Sequence, residues 1–107
     1  MADTVKEAFD AMAEKFNADA AAGLNATFQY NIEGEGGGQW HCVIADGTCT
    51  VNEGTHDSPS VTLTMAAQDF LDLVNGKLNG QAAFMAGKLK IAGDMSLAMK
   101  LGSVFGL

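Results

Sequence analysis

Apolar and polar side chains alternate with a period of two in three consecutive segments of the first half of the chain, which predicts three strands. The first two segments cover residues 27–33 and 39–45, and the third follows the turn Asp46-Gly47. A two-residue Asp-Gly loop is typical of a tight hairpin. One face of the predicted sheet collects the large apolar side chains, namely Phe28, Tyr30, Ile32, Trp40, Cys42, Ile44, Cys49 and Val51.

The two turns predict how these strands pair. Pairing Glu33 with Gln39 across the glycine-rich loop 34–38 would oppose Ile32 to Trp40, Tyr30 to Cys42, and Phe28 to Ile44. The Asp46-Gly47 turn would oppose Cys49 to Ile44 and Val51 to Cys42. The other face is then expected to contact solvent, and it carries Thr27, Gln29, Asn31, His41, Val43, Thr48 and Thr50.

A helical period of apolar residues precedes these strands. Val5, Phe9, Met12 and Phe16 form one apolar stripe, which predicts an amphipathic helix over residues 2–22 that lies on the sheet. A helix that lies on a membrane surface is the alternative, but the polar face is acidic and anionic lipid would repel it.

The second half alternates between strand and helix patterns. We predict a strand over 60–65, a helix over 67–75, a helical run over 81–85, a strand containing Leu89 and Ile91, and a helix from Met95 capped by Asp94. The last helix is apolar around most of its circumference. The whole pattern predicts an α+β fold, in which about four helices cover one face of a largely antiparallel five-stranded sheet.

Length and charge limit the function classes. The chain has 107 residues, which predicts one domain over residues 1–107, and its net charge is −7. Residues 1–59 carry ten acids and two lysines, whereas residues 60–107 carry three acids and four lysines, and arginine is absent. Clustered basic residues are needed for phosphate contacts, so nucleic acid is not an expected partner. The sequence shows no signal peptide and no apolar run of membrane-spanning length, so we expect a cytoplasmic protein.

Candidate chemistry is sparse. The 34–38 loop joins two strands and lacks the Lys-Ser/Thr ending of a phosphate-binding loop. Cys42 and Cys49 fall diagonally on adjacent strands, which predicts free thiols in the interior. His56, Asp57 and Ser58 are adjacent, so they cannot adopt the relay geometry of a hydrolase triad. We therefore expect no catalytic residue, no metal site and no cofactor.

The second half resembles a known family. The residues that carry this resemblance are Asp69-Phe70-Leu71, Gly76-Lys77, Ala83-Phe84, Gly87-Lys88-Leu89-Lys90-Ile91, Gly93-Asp94-Met95 and Leu97-Ala98-Met99-Lys100-Leu101. In order and spacing this set, which runs from about Thr62 to Leu101, is similar to the sterol carrier protein type 2 domain. The resemblance implies a sheet ordered 3-2-1-4-5, and a hydrophobic tunnel between sheet and helices that holds a fatty acid, a fatty acyl-CoA or a sterol.

The resemblance also implies site residues. The expected ligand-binding set is Phe70, Leu71, Val74, Gln81, Phe84, Met85, Ile91, Met95, Met99 and Phe105. Lys77, Lys88, Lys90 and Lys100 are expected either to meet a lipid headgroup or an anionic membrane, or to form an ordinary solvated rim. The terminal helix would act as the gate. Because the first half is strongly acidic, a fatty acid or acyl-CoA is a better candidate than a sterol.

Three functional classes follow from these observations. The first is a non-catalytic carrier that binds and transfers a lipid and makes transient membrane contact. The second is an accessory or interaction subunit of a lipid-metabolising enzyme, with a packed interior. The third is a small enzyme acting on bound lipid, for which the sequence offers no catalytic residue. Methionine and phenylalanine at helical spacing occur more often in cores than in ligand sites, so the residues alone favour a packed interior and the resemblance favours a tunnel.

Overall fold

The computed structural model describes residues 2–105; Met1, Gly106 and Leu107, which belong to the predicted domain, lie outside the described residues. The elements in chain order are α1 (Val5–Glu14), β1 (Ala26–Glu33), β2 (Gly38–Ala45), β3 (Thr48–Glu53), β4 (Val61–Ala66), α2 (Ala67–Val74), α3 (Gly80–Met85), β5 (Leu89–Gly93) and α4 (Met95–Phe105). The strand order is β3-β2-β1-β4-β5. The β1–β4 pair is parallel and the other pairs are antiparallel, which confirms the predicted α+β class and strand order.

The β2–β3 register is the predicted one, but the β1–β2 register was wrong by two residues. Cys49 lies opposite Ile44, as expected from the Asp46-Gly47 turn. Across the other loop, however, Phe28 pairs with Cys42 and Tyr30 with Trp40. Strand β2 starts at Gly38 because the Gly37 amide donates to the Gly34 carbonyl at 3.1 Å and closes a tighter loop. An even shift keeps every side chain on its face, so the predicted apolar face is preserved.

Helix α1 is shorter than the predicted span of residues 2–22. It starts after Thr4, whose hydroxyl accepts a hydrogen bond from the Glu7 amide at 3.2 Å, and it ends at Glu14. Asn17 ends the regular structure: its side chain accepts from the Ala20 amide, and its own amide donates to the Val104 carbonyl at 2.7 Å. A local side-chain bond and a long-range backbone bond thus replace the helical pattern there.

The core lies between the sheet and the helices and is rich in aromatic side chains. The Phe9 ring of α1 contacts Trp40, Tyr30 and Phe70 with centroid separations of 4.9, 5.1 and 4.7 Å. Phe105, at the end of α4, packs edge-on against Phe28 of β1. Helices α1, α2 and α4 therefore share one continuous apolar interior with the inner face of the sheet.

The outer face of the sheet is partly covered, so the prediction of a solvent-exposed face was wrong for two residues. Gln29 and Thr27 are buried. The link between β3 and β4 crosses this face: the His56 amide donates to Gln29 Oε1 at 2.8 Å, and His41 Nδ1 lies 3.0 Å from the Gly54 carbonyl. A period of two assigns a residue to a face but does not show which loop covers that face.

No helix within residues 2–105 combines the length and the apolar character needed to cross a membrane. The cytoplasmic location stays a prediction.

Candidate functional site

Helix α4 has an apolar surface wider than its contact with the core. Leu97, Leu101, Val104 and Phe105 are buried, whereas Met95 and Met99 are 44% and 82% exposed. At 3.6 residues per turn, these two methionines share a second face of the helix, one turn apart. The polar residues Ser96, Lys100 and Ser103 occupy only the remaining stripe. This helix therefore presents one apolar face to the core and another to an open space beside it.

Asp94 fixes where this helix begins. Its Oδ1 accepts hydrogen bonds from the Ser96 hydroxyl at 2.6 Å and the Ser96 amide at 2.9 Å. The hydroxyl of Ser96, the amides of Leu97 and Ser96, and the nearby Lys100 charge hold the pKa of Asp94 below its ordinary value of 3.8. The predicted cap is present, and its carboxylate compensates the free amides of the first turn.

The open space beside α4 is a cleft of about 450 Å³ at the β5 edge of the sheet. Helix α3 forms the opposite wall, β5 lies between the two helices, and Leu63 and Leu73 from β4 and α2 contribute to the lining. Five of the predicted ligand-binding residues line this cleft, namely Gln81, Phe84, Ile91, Met95 and Met99. The structure thus brings five predicted site residues from three elements to one cavity. That they contact a ligand stays a prediction.

The other predicted ligand residues lie elsewhere. Phe70 is fully buried between Phe9 and Tyr30, and Phe105 packs against Phe16 and Phe28. Val74 is buried and Leu71 is half-buried, and neither lines the cleft. Met85 is 79% exposed and lies outside the lining. The resemblance identified these positions as apolar but did not separate core positions from cleft positions.

The lining also contains eight residues that were not predicted, namely Leu63, Leu73, Asn79, Gly80, Leu89, Ala98, Leu101 and Gly102. Two sequence signals identify part of this set. Leu89 shares the inner face of β5 with Ile91, and Ala98 and Gly102 lie on the helix face between Met95 and Leu101. The small side chains at 98 and 102 leave space beside the helix, so a run of small residues on an apolar helix face was the missed signal.

Among residues 2–105, no charged side chain lines the cleft. Its polar lining groups are neutral, and the Asn79 side chain is already used, because its Oδ1 accepts from the amides of Gln81 and Ala82 at 2.9 and 3.1 Å. Lys77, Lys88, Lys90 and Lys100 are all exposed and lie outside the lining. A mainly apolar interior without charged side chains suits a ligand with an apolar chain and a polar end that stays in water.

Titratable groups of the core lie away from this cleft. Burial raises the pKa of Tyr30 far above its ordinary value, so its phenol stays neutral. A hydrogen bond to Cys49, together with burial, raises the pKa of the Cys42 thiol, and the same bond lowers that of Cys49. Both cysteines are free. Near the outer face, His56 Nδ1 accepts from the Ser58 amide at 3.0 Å, an arrangement unlike a hydrolase relay.

Comparison with known proteins extends this picture. The family described as the SCP-2 sterol transfer family matches residues 5–106. Hydroxysteroid dehydrogenase-like protein 2 of Xenopus tropicalis is 34% identical over 103 residues, which are 95% of this chain and 25% of that protein. This chain spans about a quarter or less of the length of the curated relatives it matches.

Two solved structures share the fold. The sec-alkylsulfatase Pisa1 from Pseudomonas sp. aligns with a TM-score of 0.79 and 26% identity, over 97% of this chain and 16% of that chain. Palmitated SCP2L2 from Aedes aegypti, solved by solution NMR, aligns with a TM-score of 0.69 and 28% identity, over 92% of this chain and 94% of that one. The fold, the cleft beside the terminal helix and the match over residues 5–106 lead to one conclusion: the chain belongs to the SCP-2 sterol transfer family.

Proposed function

We propose that this domain binds the alkyl chain of a fatty acid or fatty acyl-CoA in the cleft between α3, β5 and α4, and carries it without chemistry. The observation that carries the proposal is the apolar cleft of about 450 Å³, which lies within the usual size of small-molecule sites. Its walls are made mainly of Phe, Met, Leu, Ile and Ala side chains from separate elements. Burial of an alkyl chain there gains up to about 0.8 kcal/mol per methylene.

A single alkyl chain fits this lining better than a sterol. The cleft is open along one side, where Phe84 is 43% exposed and Met99 is largely exposed, so its walls are adaptable side chains rather than a rigid slot. A relative of the same fold was solved in palmitated form, which supports an acyl ligand. Gln81, which lines the cleft, and the exposed Lys77, Lys88 and Lys100 are then the candidate partners of the carboxylate or the phosphates of the ligand, whereas Lys90 alternates with the cleft-lining Leu89 and Ile91 and faces the other side of the sheet.

The test uses two matched methionines. Met99 and Met85 are both largely exposed, but only Met99 lines the cleft. Met99→Asp removes an apolar contact and places a charge beside the chain, so it should weaken uptake of a fluorescent fatty acid about tenfold, a loss of roughly 1.4 kcal/mol. Met85→Asp should leave uptake close to that of the unmodified protein. Equal uptake by all three proteins would contradict the assignment of the cleft.

An accessory role is the second candidate, because the curated relatives that match are much longer proteins, among them one named as a dehydrogenase-like protein. In that role the domain would present its lipid to a lipid-metabolising enzyme. A packed, dry interior was expected of an interaction subunit, and the cleft argues against that version. Native mass spectrometry of the purified protein separates the cases: a near-stoichiometric fatty acid supports binding, and a protein partner without lipid supports interaction alone.

A further inference from the structure

The methionines within residues 2–105 differ sharply in exposure. Met12 of α1 and Met65 of β4 are buried in the core. Met85 of α3 and Met95 and Met99 of α4 are 79%, 44% and 82% exposed. A reagent dissolved in water therefore reaches the thioethers of these three far more readily than those of the core.

Position relative to the cleft divides the exposed methionines again. Met95 and Met99 line the cleft, one turn apart on α4, whereas Met85 lies outside the lining. A ligand that fills the cleft would cover the first two side chains and leave Met85 as accessible as before. Met85 and Met99 thus have nearly equal exposure but opposite relations to the cleft.

The two thioethers make the wall of the cleft sensitive to oxidation. Of the described residues that line it, only Met95 and Met99 carry sulfur. Hydrogen peroxide transfers one oxygen atom to a methionine sulfur: the O–O bond breaks, an S=O bond forms, and the second peroxide oxygen leaves as water. The sulfur is oxidised as the peroxide is reduced. The product, methionine sulfoxide, is polar, and dedicated reductases convert it back to the thioether.

Sulfoxides at these positions would change the cleft without releasing the helix. Leu97, Leu101 and Val104 are buried and hold α4 against the core. Oxidation of Met95 and Met99, which are exposed, removes none of these contacts. It places S=O groups on the wall that an alkyl chain would cover, and a polar group buried without a hydrogen bond costs free energy. Lipid affinity should therefore fall while the fold persists.

We propose that Met95 and Met99 form an oxidation site that controls lipid loading. Peroxide converts them to sulfoxides while the cleft is empty, and the oxidised domain holds an alkyl chain weakly. This site rests on the proposed function, because its oxidation matters only if the lipid lies in the cleft. Lipid binding and oxidation then oppose each other, since the bound chain covers the two sulfurs and the sulfoxides repel the chain. The empty domain is sensitive to peroxide and the loaded domain is protected.

Mass spectrometry that resolves each methionine tests the protection on the full chain. Protein freed of lipid, and the same protein with palmitic acid at about ten times its dissociation constant, are treated with hydrogen peroxide. In the empty protein Met85 and Met99 should react at similar rates, and the buried Met12 much more slowly. Palmitic acid should slow oxidation of Met95 and Met99 at least about fivefold and leave Met85 unchanged, because only about a tenth of the clefts stay empty. Equal rates at Met99 with and without bound palmitic acid would overturn the proposal.

Uptake of a fluorescent fatty acid tests the control of loading. Peroxide should reduce uptake by the unmodified protein at least about fivefold, and methionine sulfoxide reductases should restore it. In the double variant Met95→Leu/Met99→Leu, uptake should be the same before and after peroxide, because leucine keeps the wall apolar but carries no sulfur. Met85→Leu is the matched control and should lose uptake as the unmodified protein does. The double variant keeps both cysteines, so a loss caused by thiol oxidation would persist in it.

The two proposals fail differently. Full uptake by protein whose Met95 and Met99 are sulfoxides, or an equal loss of uptake in the double variant, would overturn the oxidation site and leave the cleft assignment standing. Loss of the folded circular dichroism signal on oxidation would overturn it as well, because unfolding would then explain the lost uptake. Uptake that ignores Met99→Asp, together with no protection of Met95 and Met99 by palmitic acid, would overturn the cleft assignment and the oxidation site together.

Discussion

The depth of the cleft should limit the length of the lipid chain that it binds, and Ala98 is the position at which that limit can be shifted. Ala98 lines the cleft from α4 and is half-buried. A cleft of about 450 Å³ has room for roughly fifteen groups of about 30 Å³, the volume share of one water molecule and close to that of a methylene. We therefore expect fatty acid affinity to rise with chain length and to level off at roughly 14 to 16 carbons.

The slope of this rise follows from burial. A fully buried methylene contributes about 0.8 kcal/mol, and one that stays half-exposed in the open cleft contributes about half of that. Affinity should therefore increase roughly twofold to fourfold for each added carbon below the plateau. Isothermal titration calorimetry or displacement of a fluorescent fatty acid, over chains of about 8 to 18 carbons, measures this slope directly.

Ala98→Phe adds about 100 Å³ of side chain to the cleft and removes space for roughly three methylenes, so the plateau should move to roughly 11 to 13 carbons. Ala82→Phe is the matched control, because Ala82 is exposed on α3 and lies outside the lining. Urea unfolding of each variant checks that the fold is retained. If the Ala98→Phe and Ala82→Phe proteins show the same dependence on chain length, the cleft is not the binding site.

Two predictions concern stability. Tyr30 Oη is buried without a hydrogen-bond partner among residues 2–105, so Tyr30→Phe should stabilise the protein by about 1 kcal/mol. Thermal unfolding should then show a Tm raised by about 4 °C or more. A lower Tm would mean that the hydroxyl has a hydrogen-bond partner in the folded protein. The folded-state pKa of Asp94 is lowered, so the stability that its carboxylate gives to α4 is present at neutral pH and is lost as pH falls below 3.8 and through that lowered pKa. Asp94→Ala should lower the Tm at pH 7 and make progressively less difference toward pH 2; a constant difference would contradict the role of the charge.

The sheet was largely predictable from the sequence, since a period of two assigns each side chain to a face whatever the exact pairing. For that reason the β1–β2 register was wrong by two residues while the apolar face was right. The burial of Gln29 was not predictable in this way, because it depends on a loop that reaches the outer face through His56. The early end of α1 similarly depends on a bond from Asn17 to Val104, which is distant in sequence.

The candidate site was predictable only in part, and the reason is the same for each residue. Periodicity marks Phe70 and Phe84 equally as apolar helix positions, yet the first is fully buried and the second borders the cleft. The difference arises from the neighbours: Phe70 packs against Phe9 and Tyr30, whereas Phe84 lines an open cleft. A single sequence shows which side chains are apolar but not which of them have packing partners.

The attachments of α4 have a mechanical consequence for how the cleft widens. One end is held where the Asp94 amide donates to the Ser60 carbonyl, and the other where Asn17 bonds Val104, beside the buried Phe105. Because both of its ends are attached, α4 resists displacement away from the core. Helix α3 is six residues long and buries only Ala83, so we expect it to be displaced more easily than α4. A bulkier lipid would therefore be accommodated by displacement of α3 rather than by opening of α4, the helix that the family resemblance marks as the gate.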